Sequence, residues 1–487
     1  MKRIIAIIAA ICSCTFYLFA QNYEPKADDK AVVTIGNARF TVLTSRLVRM
    51  EWAEDGVFED RATLGVVNRL LPVPEFKASK TSKKLTIKTS DLTLTYKNTG
   101  KFSSDNLSVE FKLNGKKTGW TYGMSDEDNL LGTCRTLDLC DGETTMDPFD
   151  KGVASRAGWA VLDESERHVF VPTGTDWGDW AEPRKEGVDR QDLYLFAYGH
   201  DYKAAVSDFS RIAGKTPMPP KYAFGYWWCR YWEYSDYEVR DLMRHFREFS
   251  IPIDVFIIDM DWHETWKYPE FTEYKDQSGQ DLGWTGYTWK EDFFPNPRNL
   301  LTDLHDCGVK TSLNIHPASG IQPYEEPYER MRKDYLSRTS VYDGPKDFIR
   351  EDGSDAYIPW CIDQREWADA YFNSVMHPME KMGVDFWWLD WQQKRLNKEF
   401  IPGINQTFWI NHVFYKDMEK RSKTEGKYAI RPMIYHRWGG IGSHRYQVGF
   451  SGDTYATWKV LGYLPWFTST AANVGYGYWG HDIGGHM

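Results

Sequence analysis

From about Ala31 to Tyr198 apolar and polar residues alternate in short runs, among them Ala38 to Leu43, Leu85 to Thr89, Leu92 to Tyr96 and Leu107 to Leu113. A period of two sends successive side chains to opposite faces of a strand. Asn98-Thr99-Gly100 and Asn114-Gly115 separate the runs, and Asn-Gly is a strong hairpin signal. This half of the chain therefore predicts an antiparallel β-sandwich. Pro217, Pro219 and Pro220 then break the pattern. Beyond them come seven longer apolar runs: Ala223 to Trp228, Ile253 to Ile258, Lys310 to Ile315, Val384 to Leu389, Ala429 to Ile434, Tyr446 to Phe450 and Val474 to Trp479. Helical spacing of apolar residues fills the intervals, as in Asp236 to Phe249, Leu300 to Cys307 and Trp367 to Met382. Strand and helix in alternation predict a parallel sheet, and this many units around one core predict an α/β protein with a (β/α)8 TIM barrel. The expected division is a signal peptide over 1–20, the sandwich over 21–215 and the barrel over 216–487. Only seven strands are counted. The chain is expected to stop at Met487 before an eighth, with the stretch between Tyr324 and Ile358 as the alternative place for it, because an open barrel leaves two unpaired edges.

Composition adjusts this picture in three ways. The 22 Trp and an aromatic fraction of 16% exceed the usual share, which hints at a sugar-stacking surface although most such rings fill cores. A formal net charge of −10, with Lys and Arg scattered, argues against a nucleic-acid partner. Lys2 and Arg3 precede an apolar stretch from Ile4 to Ile11 that continues through Phe16 to Phe19 and ends in Ala20 before Gln21. That is the form of an export signal, cleaved after Ala20, with acylation of Cys14 as the lipoprotein alternative. The location expected is the periplasm, the cell envelope or the medium. No later stretch has the ~20 apolar residues of a membrane span. Cys134 and Cys140 are either a local disulfide or two unrelated thiols, and no Cys-x-x-Cys or His-Glu-x-x-His motif calls for zinc. Neither a metal nor an organic cofactor is expected.

In a barrel of this kind the working side chains follow the strands at their C-terminal ends. Here they are largely acidic: Asp259-Met260-Asp261 after the second run, Asp390 after the fourth, Gly452-Asp453 after the sixth and His481-Asp482 after the seventh. His436-Arg437 follows the fifth. Taken singly, Asp390 and Asp453 read equally well as helix caps, and Asp259 and Asp261 as partners of a nearby cation. Taken together they form an acid-lined pocket of the kind glycoside hydrolysis requires, with two carboxyl groups flanking the bond and others binding hydroxyls.

Four segments also resemble motifs of glycoside hydrolase family 31. Asp385 to Trp391, DFWWLDW, is similar to the nucleophile motif and puts Asp390 at the nucleophile. His436 to Leu461 resembles the stretch from the sugar-binding arginine to the acid/base, which implies Arg437 and Asp453 for those roles. Phe256 to Trp262, FIIDMDW, resembles the strand-two motif whose aspartate, here Asp259, binds hydroxyls. Tyr476 to Gly485 resembles the strand-seven motif, in which Asp482 supports the site. The resemblance implies net retention at an α-linkage in an oligosaccharide or glycoconjugate, with the Ser155 to Trp159 loop reaching over the barrel mouth; Trp388 and Trp391 are expected as pocket wall, since an aromatic face suits the C–H face of a pyranose. It departs at Trp391-Gln392-Gln393, at Thr454 and at His486, which puts a plain α-glucosidase in doubt. α-Xylosidase, α-galactosidase, α-N-acetylgalactosaminidase and transglycosylase share the same pair of carboxylates. A non-catalytic sugar-binding barrel and an inactive fragment are the remaining alternatives, since the family's histidine on strand eight would lie beyond Met487.

Overall fold

The computed structural model describes residues 23–173, 179–265, 284, 286–338, 357–391, 401–424 and 431–486. The expected signal segment lies outside them. The first half is built from β1 (Val32–Ile35), β2 (Ala38–Val42), β3 (Leu47–Ala53), β4 (Lys77–Lys80), β5 (Lys84–Lys88), β6 (Leu92–Lys97), β7 (Leu107–Leu113), β8 (Lys116–Thr121), β9 (Ala160–Asp163), β10 (Val169–Pro172), β11 (Asp179–Glu182) and β12 (Arg190–Phe196). Two five-stranded antiparallel sheets, β1-β2-β3-β12-β9 and β4-β5-β6-β7-β8, face each other, and β10 and β11 form a separate pair. Alternation makes the core: Phe40, Val48, Met50, Leu193 and Leu195 of one sheet pack on Ile87, Leu94, Val109, Phe111 and Trp120 of the other. The β7–β8 hairpin turns through Asn114 at φ 52° and Gly115 at φ 77°, the left-handed pair that Asn-Gly accommodates at least cost.

Helix α1 (Tyr202–Ala213) leads into the second half. Its strands are β13 (Trp227–Trp228), β14 (Val255–Ile258), β15 (Lys310–Ile315), β16 (Phe386–Leu389), β17 (Tyr435–His436), β18 (Gly449–Phe450) and β19 (Trp479–Gly480), all parallel and hydrogen-bonded in chain order. The intervening helices are α2 (Asp236–Glu248), α3 (Pro297–Asp306), α4 (Tyr328–Arg338), α5 (Arg365–Tyr371), α6 (His377–Met382), α7 (Gln406–Thr424) and α8 (Trp458–Ala471). The strands divide their side chains between two apolar layers. Val255, Ile257, Phe386, Trp388, Tyr435 and Phe450 fill the inside of the sheet. Phe256, Ile258, Leu313, Ile315, Trp387 and Leu389 face outward, onto Val239, Leu300, Val375 and Trp409 of the helices. Burial on both faces explains why these strands read as unbroken apolar runs.

Several boundaries differ from the sequence pattern for identifiable reasons. Ala429 and Ile430 of the fifth expected run lie outside the described residues; within them the ladder begins at Tyr435, after Pro432, which has no N–H to give it. Ala472–Val474 is a 3-10 turn ending at Gly475, so the seventh strand starts only at Trp479. The helix expected over Trp367 to Met382 widens into a π turn at Phe372–Met376, immediately before Pro378, whose ring removes one donor from the ladder. Between Tyr324 and Ile358, the described residues hold α4 and an antiparallel bridge from Ile321 to Ile358, with no barrel strand among them. Cys134 and Cys140 are free, buried thiols.

Candidate active site

Every described barrel strand delivers a polar group to the same rim. Cys229 follows β13, Asp259 β14, His316 β15, Asp390 β16 and Arg437 β17, with Asp453 and Asp482 two or three residues past β18 and β19. Asp390 is the hub. Its Oδ1 accepts from Arg437 Nε at 3.0 Å and Nη2 at 2.7 Å, and its Oδ2 accepts from Asn314 Nδ2 at 2.9 Å. His316 Nε2 lies 3.4 Å from Oδ2. Burial alone would push this carboxyl up, but the Arg437 charge and the donors of His316 and Asn314 outweigh it and hold Asp390 well below the usual carboxylate range.

The other acids are pushed the opposite way. Burial, then the Asp390 charge, raises Asp259 well above an ordinary aspartate, and its Oδ1 accepts from Met260 N at 2.8 Å. Asp453 is likewise raised by burial and then by Asp390. Asp482 is raised to about 7 by burial, Asp453 and Asp390. One ionised carboxylate thus faces three carboxyls biased toward the protonated form, the separation that acid and base roles demand. Asp453, Asp482 and His486 bring polar atoms within 4.8 Å of one another, the one such group among the described residues that could hold a cation. Carboxyls pushed toward the acid form are weakened as metal ligands, and the same spacing suits a shared sugar hydroxyl.

Asp453 does not cap the helix that follows it. Helix α8 is capped by Thr457, whose hydroxyl accepts from Val460 N, so Asp453 stands outside the cap. The Asp390 carboxylate is taken up by Arg437 and Asn314. Trp388 packs inside the barrel, one strand repeat before Asp390, with its ring 4.8 Å from Phe450 and 5.4 Å from Tyr435. The Trp391 ring is met by two guanidinium groups, Arg135 at 4.0 Å and Arg437 at 4.9 Å. Gln392 and Gln393 lie outside the described residues.

One expectation is corrected. Ser155 to Trp159 does not reach the barrel mouth: Ser155 Oγ donates to Asp126 at 2.6 Å and Trp159 packs on Trp120 in the sandwich core. Another part of the N-terminal half arrives instead. Leu130 to Thr133 pairs with Asp150 to Ala154, and the chain between them runs across the ends of β16, β17 and β18. There Arg135 Nη2 donates to Trp391 O at 2.9 Å, and Arg437 Nη1 donates to Thr136 Oγ1 at 2.5 Å and to Asp138 Oδ1 at 3.0 Å. Cys134, Leu137 and Cys140 bury against Leu464 and Phe467 of α8, which is why both thiols are inside. Asn314 and His316 were also missed, although His316 sits where the strand-end rule would have found it.

Residues 216–487 match the family described as Glycosyl hydrolases family 31 TIM-barrel domain. The chain belongs to glycosyl hydrolase family 31. An α-xylosidase of Saccharolobus solfataricus is 25% identical over 409 residues, which cover 79% of this chain and 50% of that protein. α-Glucosidase 2 of Bacillus thermoamyloliquefaciens is 25% identical over 313 residues, covering 60% of this chain and 36% of that one. The chain thus spans half the length of the first of these relatives and about a third of the second. Among solved structures, a family 31 dextranase of Flavobacterium johnsoniae complexed with glucose superposes with a TM-score of 0.62 at 17% identity, covering 92% of this chain and 59% of that one. A family 31 α-xylosidase of Xanthomonas citri gives 0.62 at 13% identity, covering 94% and 69%. No helix among the described residues is long and apolar enough to cross a membrane.

Proposed function

We propose that this chain carries the active site of an exported, retaining α-glycosidase that cleaves α-linked gluco- or xylo-configured pyranosides. The observation that carries the reading is the pairing of Arg437 with Asp390 opposite Asp453: one carboxylate is held ionised by a buried cation, and the other is biased toward its acid form. Asp390 attacks the anomeric carbon while the bond to the leaving oxygen breaks, and Asp453 gives that oxygen its proton. A water then attacks the glycosyl ester, surrenders its proton to Asp453, and releases sugar with the starting α configuration. Retention requires the two carboxyls roughly 5 Å apart. Asp259, biased to the protonated form, can donate as well as accept a hydrogen bond toward sugar hydroxyls. Asp482 supports the same rim, and Trp391, its ring held against Arg135 and Arg437, walls the pocket with Trp388 packed below. The Lys2-Arg3 start and the apolar run after it support export.

The names of the relatives, α-xylosidase and α-glucosidase, support a gluco- or xylo-configured substrate over a galacto-configured one. A panel of aryl α-glycosides followed by proton NMR tests the whole reading. The α-anomer is expected to appear first, from the α-glucoside or α-xyloside; initial β-anomer, or turnover only of an α-galactoside, contradicts it. Asp453→Ala should lose about 10²- to 10⁴-fold in rate on alkyl glycosides and far less on aryl glycosides with strongly acidic leaving groups. Equal losses on both would remove Asp453 from the acid/base role.

A further inference from the structure

We infer that Asp138, carried by the N-terminal half of the chain, is a positioning residue for the barrel's reacting pair: a single carboxylate oxygen ties Arg437 to the backbone of Asp453 and sets the charge balance between Asp390 and Asp453. The inference rests on the retaining-glycosidase reading and adds a residue to it from outside the barrel.

The geometry is specific. Asp138 Oδ1 accepts from Arg437 Nη1 at 3.0 Å and from Asp453 N at 2.6 Å, so the same atom touches the groups that hold both acids. Its side chain is 13% exposed. Leu137 N donates to Ser451 O at 2.6 Å, which docks the segment onto the end of β18. Gly452 makes the approach possible: at φ 100° it is in glycine's region, and a Cβ there would stand 2.2 Å from Asp138 Oδ1 and 2.3 Å from Thr136 Oγ1. The buried cluster of Cys134, Leu137 and Cys140 with Leu464 and Phe467 anchors the segment from behind.

The charges give the arrangement a consequence. Arg437 carries one positive charge between two carboxylates, Asp390 on its Nε and Nη2 and Asp138 on its Nη1. Asp453 feels Asp390, Arg437, Asp138 and His486, with Asp482 past the neighbouring β19 and Asp259 past β14 also within its reach. Of these, Arg437 and His486 favour the ionised form of Asp453, and Asp138 opposes them. Without the Asp138 charge, the surplus of Arg437 would bear on Asp453 and draw off the proton the leaving group needs.

Asp138→Asn keeps an acceptor oxygen in place for both N–H groups and removes only the charge. The alkaline limb of kcat/KM on a poor-leaving-group substrate should then move down by about one pH unit, while the acid limb stays. The Asp453 carboxyl, followed by carbon-13 NMR in the full chain, should titrate lower by a similar amount. The same downward move is expected in Gly452→Ala, which displaces the segment and serves if the Asn variant does not fold. An Asp453 titration unchanged in the folded variants overturns the inference whether or not the chain turns over. Absence of turnover in the unaltered chain, with the titration shifted as expected, counts against the glycosidase reading and leaves the role of Asp138 standing.

Discussion

Asp390→Asn is expected to lower kcat/KM on aryl α-glycosides by roughly 10⁴-fold or more, because removing a nucleophile disables every group that acts with it. The substitution is close to isosteric, and the amide oxygen can still accept from Arg437 Nε and Nη2. The folded state should survive, and a neutral sugar analogue should still bind. Steady-state kinetics with an equilibrium binding measurement separates the two effects. A rate within about tenfold of the unaltered chain would show that the chemistry runs through another carboxylate.

Arg437→Met should produce the largest loss of stability among single changes in the site. Arg437 is fully buried and bonded to Asp390, Asp138 and Thr136, so its removal leaves buried carboxylates without a counter-charge, at a cost of about 3–5 kcal/mol. The sign of the pH dependence follows from Asp390. Its folded-state pKa is depressed, so it stabilises the fold above the ordinary carboxylate value of about 4, and that contribution is lost as pH falls through the depressed value. In the Met variant burial has lost the largest charge opposing it, so the carboxyl rises and penalises folding at neutral pH. The destabilisation should therefore be greatest near pH 7 and shrink as pH falls toward 4. Urea unfolding at both values checks this; an equal loss at each would mean that Arg437 acts through packing alone.

The acids of the rim were legible because strand periodicity and barrel topology leave few places for them. An apolar run buried on both faces ends abruptly, and the first polar residue after it, as at Asp259 and Asp390, points into the mouth. Hairpin chemistry was similarly local: Asn114-Gly115 fixes its own turn. Where the pattern misled, a backbone donor was missing or a turn intervened. Pro432 delays β17 and Gly475 delays β19, and neither effect is visible in hydrophobicity.

The N-terminal contribution was not legible. Asp138 lies in an irregular segment, 315 residues from Asp453, and its part in the site comes from tertiary docking through Leu137, Cys134 and Cys140. No local spacing announces such a contact. The family resemblance instead favoured Ser155 to Trp159, whose Trp159 is needed in the sandwich core. The sole sign on the barrel side was Gly452 beside Asp453, and a glycine next to an acid is too common to point across domains.

The central claim is that Asp390 bonds to the sugar. A slow fluorosugar with a good leaving group, incubated with the full chain and followed by peptide mass spectrometry, tests it most directly. The account predicts one covalent glycosyl label, on Asp390, absent in Asp390→Asn. Label on Asp259, Asp453 or Asp482, or label that persists in the Asn variant, would contradict it.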